Sequence, residues 1–154
     1  MKKEKMKLKI KRLTESAKLP TKGYSSDAAY DVYCDKGFVL EGYEPTNNTY
    51  AEICTKTVST GIALGIPEGY YIRVEEKSGL ASKGIKVSAG IIDNSYIGEL
   101  KVIMVNTARG NIVFEGGQKI AQIILTKMEH CDIIEVDELE DTDRGDAGFG
   151  STGS

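Results

Sequence analysis

The sequence of 154 residues is short of residues that several kinds of chemistry require. It has one histidine, His130, which excludes a metal site built on several histidines and disfavours a Ser-His-Asp or Cys-His nucleophile. Its three cysteines, Cys34, Cys54 and Cys131, are far apart and lack Cys-x-x-Cys spacing, which disfavours a disulfide framework or a zinc site. Catalysis is therefore expected to rest on carboxylates, Arg or Lys, hydroxyls, backbone amides and a hard metal ion.

Membrane and export signals are also missing from the sequence. No apolar run approaches the roughly 18 residues of a membrane-spanning helix. The lysine-rich start is not followed by the apolar core and cleavage site of a secretory signal. With an odd number of widely spaced cysteines, these absences predict a soluble cytoplasmic protein with no membrane partner.

The formal net charge of −3 hides two oppositely charged ends. Residues 2–12 carry seven basic groups, and residues 129–146 carry nine acidic ones. In residues 6–11 apolar side chains alternate with lysines, which predicts an edge strand whose solvated lysines discourage further pairing. This interpretation is favoured over a nucleic-acid-binding arm.

Glycine is abundant, with 17 residues against 3 prolines, and it separates short runs rich in Ile, Val, Thr and Tyr. Many such runs predict an all-β sandwich or barrel. A short helix is predicted over 78–84, capped by the Ser78 hydroxyl and closed by Gly84. A helical alternative for 120–128 stays open. The predicted strands are 6–11, 38–40, 52–58, 61–66, 70–74, 101–106, 111–114, 120–126 and 131–136.

The hydrophobic periodicity stops near residue 137. We therefore expect a domain over 1–138, followed over 139–154 by an acidic linker and a glycine-rich C-terminal arm. One interpretation of this tail is a disordered terminus. The other is a flexible arm that delivers one cation, Arg144, and one aromatic ring, Phe149, to a ligand.

Two clusters have the ingredients of a phosphate site. Ser78 and Gly79 open the predicted helix beside Lys77, an arrangement that favours an anion but is also common in helices that bind nothing. Asp93 ends an apolar run at the start of a predicted hairpin, where a partly buried carboxylate is placed to orient a water or to cap the turn. Tyr96, just past this turn, stacks on a ring or covers the hairpin.

Five segments, in this order, resemble the five motifs of the homotrimeric dUTPases. The similarity runs from about residue 8 to residue 153, and the order and spacing of the motifs make it specific. The segments are 26–32 (SDAAYDV), 77–81 (KSGLA), 89–99 (AGIIDNSYIGE), 117–122 (GQKIAQ) and 144–153 (RGDAGFGSTG).

The resemblance implies an all-β distorted jelly roll of the β-clip type with one short helix and a flexible C-terminal arm. It implies a homotrimer with active sites shared between subunits, over which the arm closes. The implied reaction is hydrolysis of dUTP to dUMP and pyrophosphate, which limits uracil in DNA and supplies dUMP. Mg²⁺ held by the triphosphate is the implied cofactor, and no direct binding of nucleic acid is expected.

The resemblance also assigns roles to individual residues. Asp93 matches the aspartate that activates the water attacking the α-phosphorus, and Ser78 lies near the bond to be broken. Asp31 matches a carboxylate linked to Mg²⁺ through water, and Tyr96 a ring packed against the deoxyribose. The substrate-binding residues are Lys77, Ser78, Gly79, Gln122 and Arg144 for the phosphates, backbone around Gly90, Ile91 and Lys101 for the uracil edge, Phe149 as the ring stacked on uracil, and Gly150 and Ser151 of the arm.

The sequence departs from the family pattern at four places. Glu76-Lys77 stands where Pro-Arg is usual, so phosphate affinity or metal dependence is expected to differ. Ala29 and Ala147 replace glycines, and Ile97 replaces a polar or basic residue. The alternatives are a dCTP deaminase-like enzyme and a jelly-roll module with an added regulatory protein-binding role through the loop 41–51.

Overall fold

The computed structural model describes residues 6–43 and 54–146. This part of the chain is built of short strands and one short helix. Most of the strands overlap segments that the sequence predicts as strands. In chain order the elements are β1 (Lys9–Arg12), β2 (Tyr30–Tyr33), β3 (Phe38–Leu40), β4 (Cys54–Gly65), β5 (Tyr70–Glu75), α1 (Ser78–Ala81), β6 (Ile85–Ser88), β7 (Ile91–Ile92), β8 (Glu99–Asn106), β9 (Ile112–Phe114) and β10 (Lys119–Lys127).

The strands form two four-stranded antiparallel sheets and a two-stranded one. The first sheet has the order β1-β4-β8-β6, the second β2-β10-β5-β7, and β3 pairs with β9. One hydrophobic core takes side chains from both larger sheets, including Ile62 and Met104 from the first and Ile72 and Ile123 from the second. Two sheets that share one core make the predicted all-β jelly roll, which is confirmed.

Several predictions about single strands are confirmed. β1 lies at the edge of its sheet, with Lys9 and Lys11 exposed while Ile10 packs against the core. Residues 120–126 belong to β10, so the helical alternative for this stretch is wrong. The runs 52–58 and 61–66 were predicted as separate strands, but residues 54–65 form the single strand β4, with a register shift at Gly61, where φ is 69°.

Other predictions about strands are wrong. Residues 131–136 alternate like a strand but form none, and Ile133 and Ile134 are 97% and 75% exposed. The chain leaves the second sheet at Lys127, and this segment pairs with no strand among the described residues. β2 and β6 were missed, and β2 carries the buried charge of Asp31, which interrupts the expected pattern of a strand.

The predicted hairpin around Asp93 is also wrong. β7 pairs with β5 in the second sheet, with Ile92 opposite Ile72, whereas β8 belongs to the first sheet. The turn at 93–96 therefore connects the two sheets and projects from the end of the sandwich. Across residues 6–43 and 54–146, no helix has the length and apolar character needed to cross a membrane.

Candidate active site

The candidate site is centred on Asp31, in the middle of β2. Its carboxylate is among the few buried charged groups, with 8% of the residue exposed. The register of the second sheet places Asp31 opposite Gln122 of β10, and Gln122 opposite Glu75 at the end of β5. Asp31, Gln122 and the segment that follows β5 are therefore neighbours at one end of this sheet.

Two lysines neutralise Asp31. The Lys77 ammonium forms an ion pair with Oδ1, and the Lys119 Nζ lies 2.7 Å from Oδ2. Burial by itself raises the pKa of Asp31, but the hydrogen bonds from Lys119 and Lys77 outweigh it and hold the pKa below its ordinary value. The pKa of Lys119 is raised by the same hydrogen bond. One carboxylate between two ammonium groups leaves a unit of positive charge, which suits a phosphate ligand.

A cavity of about 510 Å³ opens beside this charge cluster. Asp31, Lys77, Lys119 and Gln122 line one part of it, and the loop at 23–29 lines another. Its volume falls in the range of pockets that bind small ligands. The cavity brings together three residues of the predicted site, Asp31, Lys77 and Gln122, and adds Lys119, which the sequence did not indicate.

The turn after β5 has a different local structure from the predicted one. Ser78 is the first helical residue of α1, and Lys77 holds the capping position without any side-chain cap, so the predicted Ser78 cap is wrong. The backbone oxygen of Lys77 accepts the N–H groups of Leu80 and Ala81, each at 2.9 Å. Ser78 and Gly79 are exposed, and a Cβ added at Gly79 meets no atom within 4 Å. The helix ends at Ala81 and not at Gly84 as predicted. Gly84, with a φ of 83°, ends the turn three residues past the helix.

A second group of predicted site residues lies around β7. The backbone oxygen of Gly90 accepts the N–H of Val74 at 2.7 Å. Asp93 is exposed rather than partly buried, and its backbone oxygen, not its carboxylate, accepts the turn hydrogen bond from the N–H of Tyr96 at 3.1 Å. The Tyr96 hydroxyl donates to the backbone oxygen of Glu99 at 2.9 Å, which holds the ring against Gly98. Asp93 is therefore held by the backbone of its turn, with its carboxylate facing solvent.

Two further members of this group, Ile91 and Lys101, are exposed. Ile91 lies on β7, the last strand in the order of the second sheet. The Lys101 ammonium lies 3.9 Å from Oε2 of Glu99. Both residues are close to the Asp93 turn in sequence, and neither lines the Asp31 cavity.

One chain does not bring the two groups together. Asp31 and Ile92 are three strands apart in the second sheet, which is about 14 Å, and three residues apart along the strands, which is about 10 Å. In a flat sheet their separation is therefore about 17 Å, far beyond the roughly 3 Å of a hydrogen bond. Within one chain the two groups therefore make no direct contact with each other.

The predicted arm residues are only partly within the described residues. Arg144 is exposed in a turn where the N–H of Gly145 donates to the backbone oxygen of Thr142 at 3.0 Å. Phe149, Gly150 and Ser151 lie outside the described residues, as does most of the loop 41–51. The arm and the loop therefore keep the status of predictions.

The residues around Asp31 fit a Mg²⁺ ion only through water. Within residues 6–43 and 54–146, no three His, Cys, Asp or Glu side chains are grouped to hold a metal. Both oxygens of Asp31 already face lysine ammonium groups. Mg²⁺ commonly keeps several waters and binds through one or two carboxylates together with substrate phosphates, and this donor set matches that mode and not a preformed cage.

The fold and the site define an all-β protein that binds an anionic ligand beside an ionised carboxylate. The model of the dUTPase family matches residues 15–153, and the chain belongs to this family. Its activity is therefore the hydrolysis of dUTP, as a dUTP diphosphatase. These matches favour dUTP hydrolysis over the dCTP deaminase alternative.

Three relatives illustrate the similarity. The deoxyuridine 5'-triphosphate nucleotidohydrolase of Paramecium bursaria Chlorella virus 1 is 44% identical over 95% of this chain and 97% of its own. The dUTPase of Staphylococcus bacteriophage 80alpha, solved with dUPNHPP, is 26% identical with a TM-score of 0.83 over 96% of this chain and 99% of its own. A mutant dUTPase of S. aureus phage phi11, described with a structural Mg(II) ion, has a TM-score of 0.75 at 24% identity, over 88% of this chain and 100% of its own.

Proposed function

We propose that the triphosphate of dUTP binds in the Asp31 cavity, and that Asp93 of another copy activates the water that attacks the α-phosphorus. The observation that carries the proposal is the charge cluster of Asp31, Lys77 and Lys119 at a cavity about 510 Å³ in volume. Phosphoryl transfer needs positioning and charge neutralisation more than a covalent nucleophile, and these groups supply both.

The phosphate contacts follow from the cavity and the turn beside it. Lys77 already reaches the cavity, and its ammonium neutralises phosphate charge there. Ser78 and Gly79 are the exposed residues that come next, so a phosphate held by Lys77 lies beside the Ser78 hydroxyl and close to the backbone at Gly79. Gln122 contributes from β10, and Arg144 and Ser151 contribute from the arm when it closes over the nucleotide.

The base and the sugar are assigned to the group around β7. β7 ends the second sheet, so one side of its backbone has no neighbouring strand within the described residues. A strand edge of this kind offers backbone N–H and C=O groups to the edge of uracil, here around Ile91, with the nearby Lys101 and with Gly90, whose oxygen is held by Val74, fixing the strand. The half-exposed ring of Tyr96 packs against the deoxyribose, and Phe149 and Gly150 of the arm cover the uracil.

The chemical step is assigned to Asp93. Its carboxylate is exposed on a turn that hydrogen bonds hold in place, so it is accessible to a water and to a phosphate presented by another copy. A positioned general base of this kind contributes typically 10²- to 10⁴-fold to a rate. The base directs the water at the α-phosphorus, and dUMP and pyrophosphate separate.

Mg²⁺ belongs to the proposal as an ion that arrives with the triphosphate. When bound, it neutralises charge on the phosphates and orients them for in-line attack. On the protein side, Asp31 would hold the ion through water, and Lys77 and Lys119 keep that carboxylate ionised. The mode of binding that fits Asp31 and the Mg(II) ion described in the phi11 dUTPase both support this part.

A homotrimer with shared active sites completes the proposal. It is supported by the separation of about 17 Å between the two groups of one chain. It is also supported by apolar side chains that one chain leaves exposed, Ile97 at 81% beside the Asp93 turn and Ile133 at 97% after β10. Light scattering should give three times the 16.8 kDa of one chain, about 50 kDa.

A cytoplasmic location is the last part of the proposal. Cys34 and Cys131 are free thiols, which is the usual state in a reducing compartment.

Mixed trimers test the shared site directly. Asp31→Asn and Asp93→Asn chains are each expected to form inactive homotrimers. Random mixing of the two in equal amounts should restore about a quarter of the wild-type pyrophosphate release per chain, because one site in each mixed trimer receives an intact cavity and an intact turn. A mixture as inactive as its parents would refute a site shared between copies.

Substrate and metal dependence are tested by pyrophosphate release from dUTP, dCTP, dTTP and UTP, with Mg²⁺ present or chelated. We expect rapid release from dUTP alone and loss of activity on chelation. Equal release from all four nucleotides would contradict the assignment of the uracil and deoxyribose contacts.

A further inference from the structure

Glu76 stands between β5 and the proposed phosphate turn, and both its backbone and its side chain are engaged. Its backbone oxygen accepts a hydrogen bond from Nε2 of Gln122 at 2.7 Å. Its Oε1 accepts the backbone N–H of Val87 in β6 at 3.1 Å. The residue next to it is Lys77, whose ammonium pairs with Asp31. Glu76 does not line the cavity, and its carboxylate is engaged by β6 instead.

The contact with Val87 joins the two large sheets. β5 belongs to the second sheet and β6 is the last strand of the first. Val87 is opposite Met104 of β8, and its N–H donates to Glu76. The Glu76 carboxylate therefore connects the end of β5, in the second sheet, to β6, the edge strand of the first sheet that follows α1.

The turn between these strands has little support of its own. α1 has four residues, and no side chain caps its N-terminus. An isolated helix of this length is not stable, because forming its first turn fixes several residues for few hydrogen bonds. Leu80 packs against the core and Lys77 pairs with Asp31, and the two hydrogen bonds at Glu76 fix the residue with which the turn begins.

The Glu76 carboxylate is an ionised acceptor over the neutral pH range. The backbone N–H groups of Val87 and of Glu76 itself hold its pKa below the ordinary value, against the opposing effect of burial. Hydrogen bonds to charged groups are stronger than those between neutral groups.

We propose that Glu76 is a positioning residue, whose hydrogen bond to the Val87 N–H holds the Lys77–Ser78–Gly79 turn where it meets the triphosphate. This rests on the proposed role of that turn in binding phosphate. In this sequence the hydrogen bond from the Val87 N–H to the Glu76 carboxylate fixes the start of the turn. Glu76 stands at the position where the resemblance leads one to expect a proline.

Four variants distinguish the effect of the Glu76–Val87 hydrogen bond from the effect of the negative charge of Glu76. Glu76→Ala removes the acceptor, Glu76→Asp keeps the charge but shortens the reach by one methylene, and Glu76→Gln keeps an acceptor oxygen at full length. Glu75→Ala is the matched control, because it removes the adjacent carboxylate, whose partner is the exposed Arg73, and leaves the Glu76–Val87 hydrogen bond intact.

Binding of a non-hydrolysable dUTP analogue with Mg²⁺ is the first measurement. Glu76→Ala and Glu76→Asp should weaken binding about tenfold, whereas Glu76→Gln should stay within about threefold of the wild type and Glu75→Ala should match it. Equal affinity for Glu76→Asp and the wild type would overturn the proposal.

Amide hydrogen exchange is the second measurement, and it does not depend on nucleotide. The Val87 amide should exchange faster in Glu76→Ala and Glu76→Asp than in Glu75→Ala, since its acceptor is lost or out of reach. Unchanged exchange in both variants would overturn the Glu76–Val87 hydrogen bond itself.

A Lys77→Met variant distinguishes failure of this inference from failure of the proposed function. If Lys77→Met binds the analogue as the wild type does, the phosphate role of the turn is wrong and the positioning role is overturned with it. If Lys77→Met weakens binding while Glu76→Ala and Glu76→Asp do not, only the role of Glu76 is overturned.

Discussion

Of the two described glycines in the candidate site, Gly79 and Gly90, only Gly90 lacks room for an added methyl group. A Cβ at this residue would lie 2.6 Å from the backbone oxygen of Val74, about 0.7 Å inside an ordinary C···O contact. The strand must shift to relieve the overlap, and the hydrogen bond from the N–H of Val74 to the Gly90 oxygen is lost or weakened. Overpacking costs about 1–3 kcal/mol and the hydrogen bond about 0.5–1.5 kcal/mol, so Gly90→Ala should destabilise the protein by about 2–4 kcal/mol.

Thermal unfolding measures this effect. For a chain of this size the midpoint should fall by roughly 5–15 °C, compared at a fixed chain concentration because an oligomer's midpoint depends on it. Gly79→Ala is the control, since a Cβ there meets nothing within 4 Å and alanine favours the helix over glycine. Its midpoint should stay the same or rise slightly, while nucleotide turnover falls if phosphate approaches this backbone. An unchanged midpoint for Gly90→Ala would refute the packing argument.

Three further predictions concern the reaction and its pH dependence. Asp93→Asn should bind a non-hydrolysable analogue like the wild type but lose about 10²- to 10⁴-fold in turnover, and unchanged pyrophosphate release would reject Asp93 as the base. Deleting residues from Arg144 onward should abolish most turnover and leave the trimer, so dissociation on light scattering would assign the arm a structural role instead. The lowered pKa of Asp31 should add stability at pH values above its ordinary 3.8, and this stability should be lost as the pH falls through the lowered value. Lys119→Met should reduce that contribution, seen as a smaller difference between the urea midpoints at pH 7 and pH 3, and an equal difference in both proteins would count against the ion pair.

The sequence was sufficient to predict those strands in which the pattern of apolar and polar residues reflects burial within one chain. β10 and most of β4 were predicted from such alternation, and both supply buried residues to the core. Residues 131–136 alternate in the same way, yet they form no strand, because alternation does not specify a partner for the backbone. β2 was missed for the opposite reason, since it buries Asp31 at a position where the pattern predicts a solvated charge.

The candidate site was predictable in its residues but not in its contacts. The motifs identify Asp31, Lys77 and Gln122, and the structure brings these three together at one cavity. Lys119 was missed as a partner of Asp31, although it lies within the motif 117–122. Its contact depends on the register of β10 against β2, which shifts between Lys119 and Ala121. No local pattern in the sequence specifies such a shift.

The exposure of Asp93 has the same origin as the missed contacts. The sequence interpretation placed this carboxylate in a partly buried hairpin, whereas the turn joins two sheets and projects into solvent. A general base in full contact with water has no reason to act on one particular water molecule. In the proposed trimer, the cavity of a neighbouring copy supplies the phosphate that selects this water and the surface that excludes the others. The proposal thus makes assembly part of the catalytic arrangement, because it takes the phosphate cavity from one chain and the general base from another.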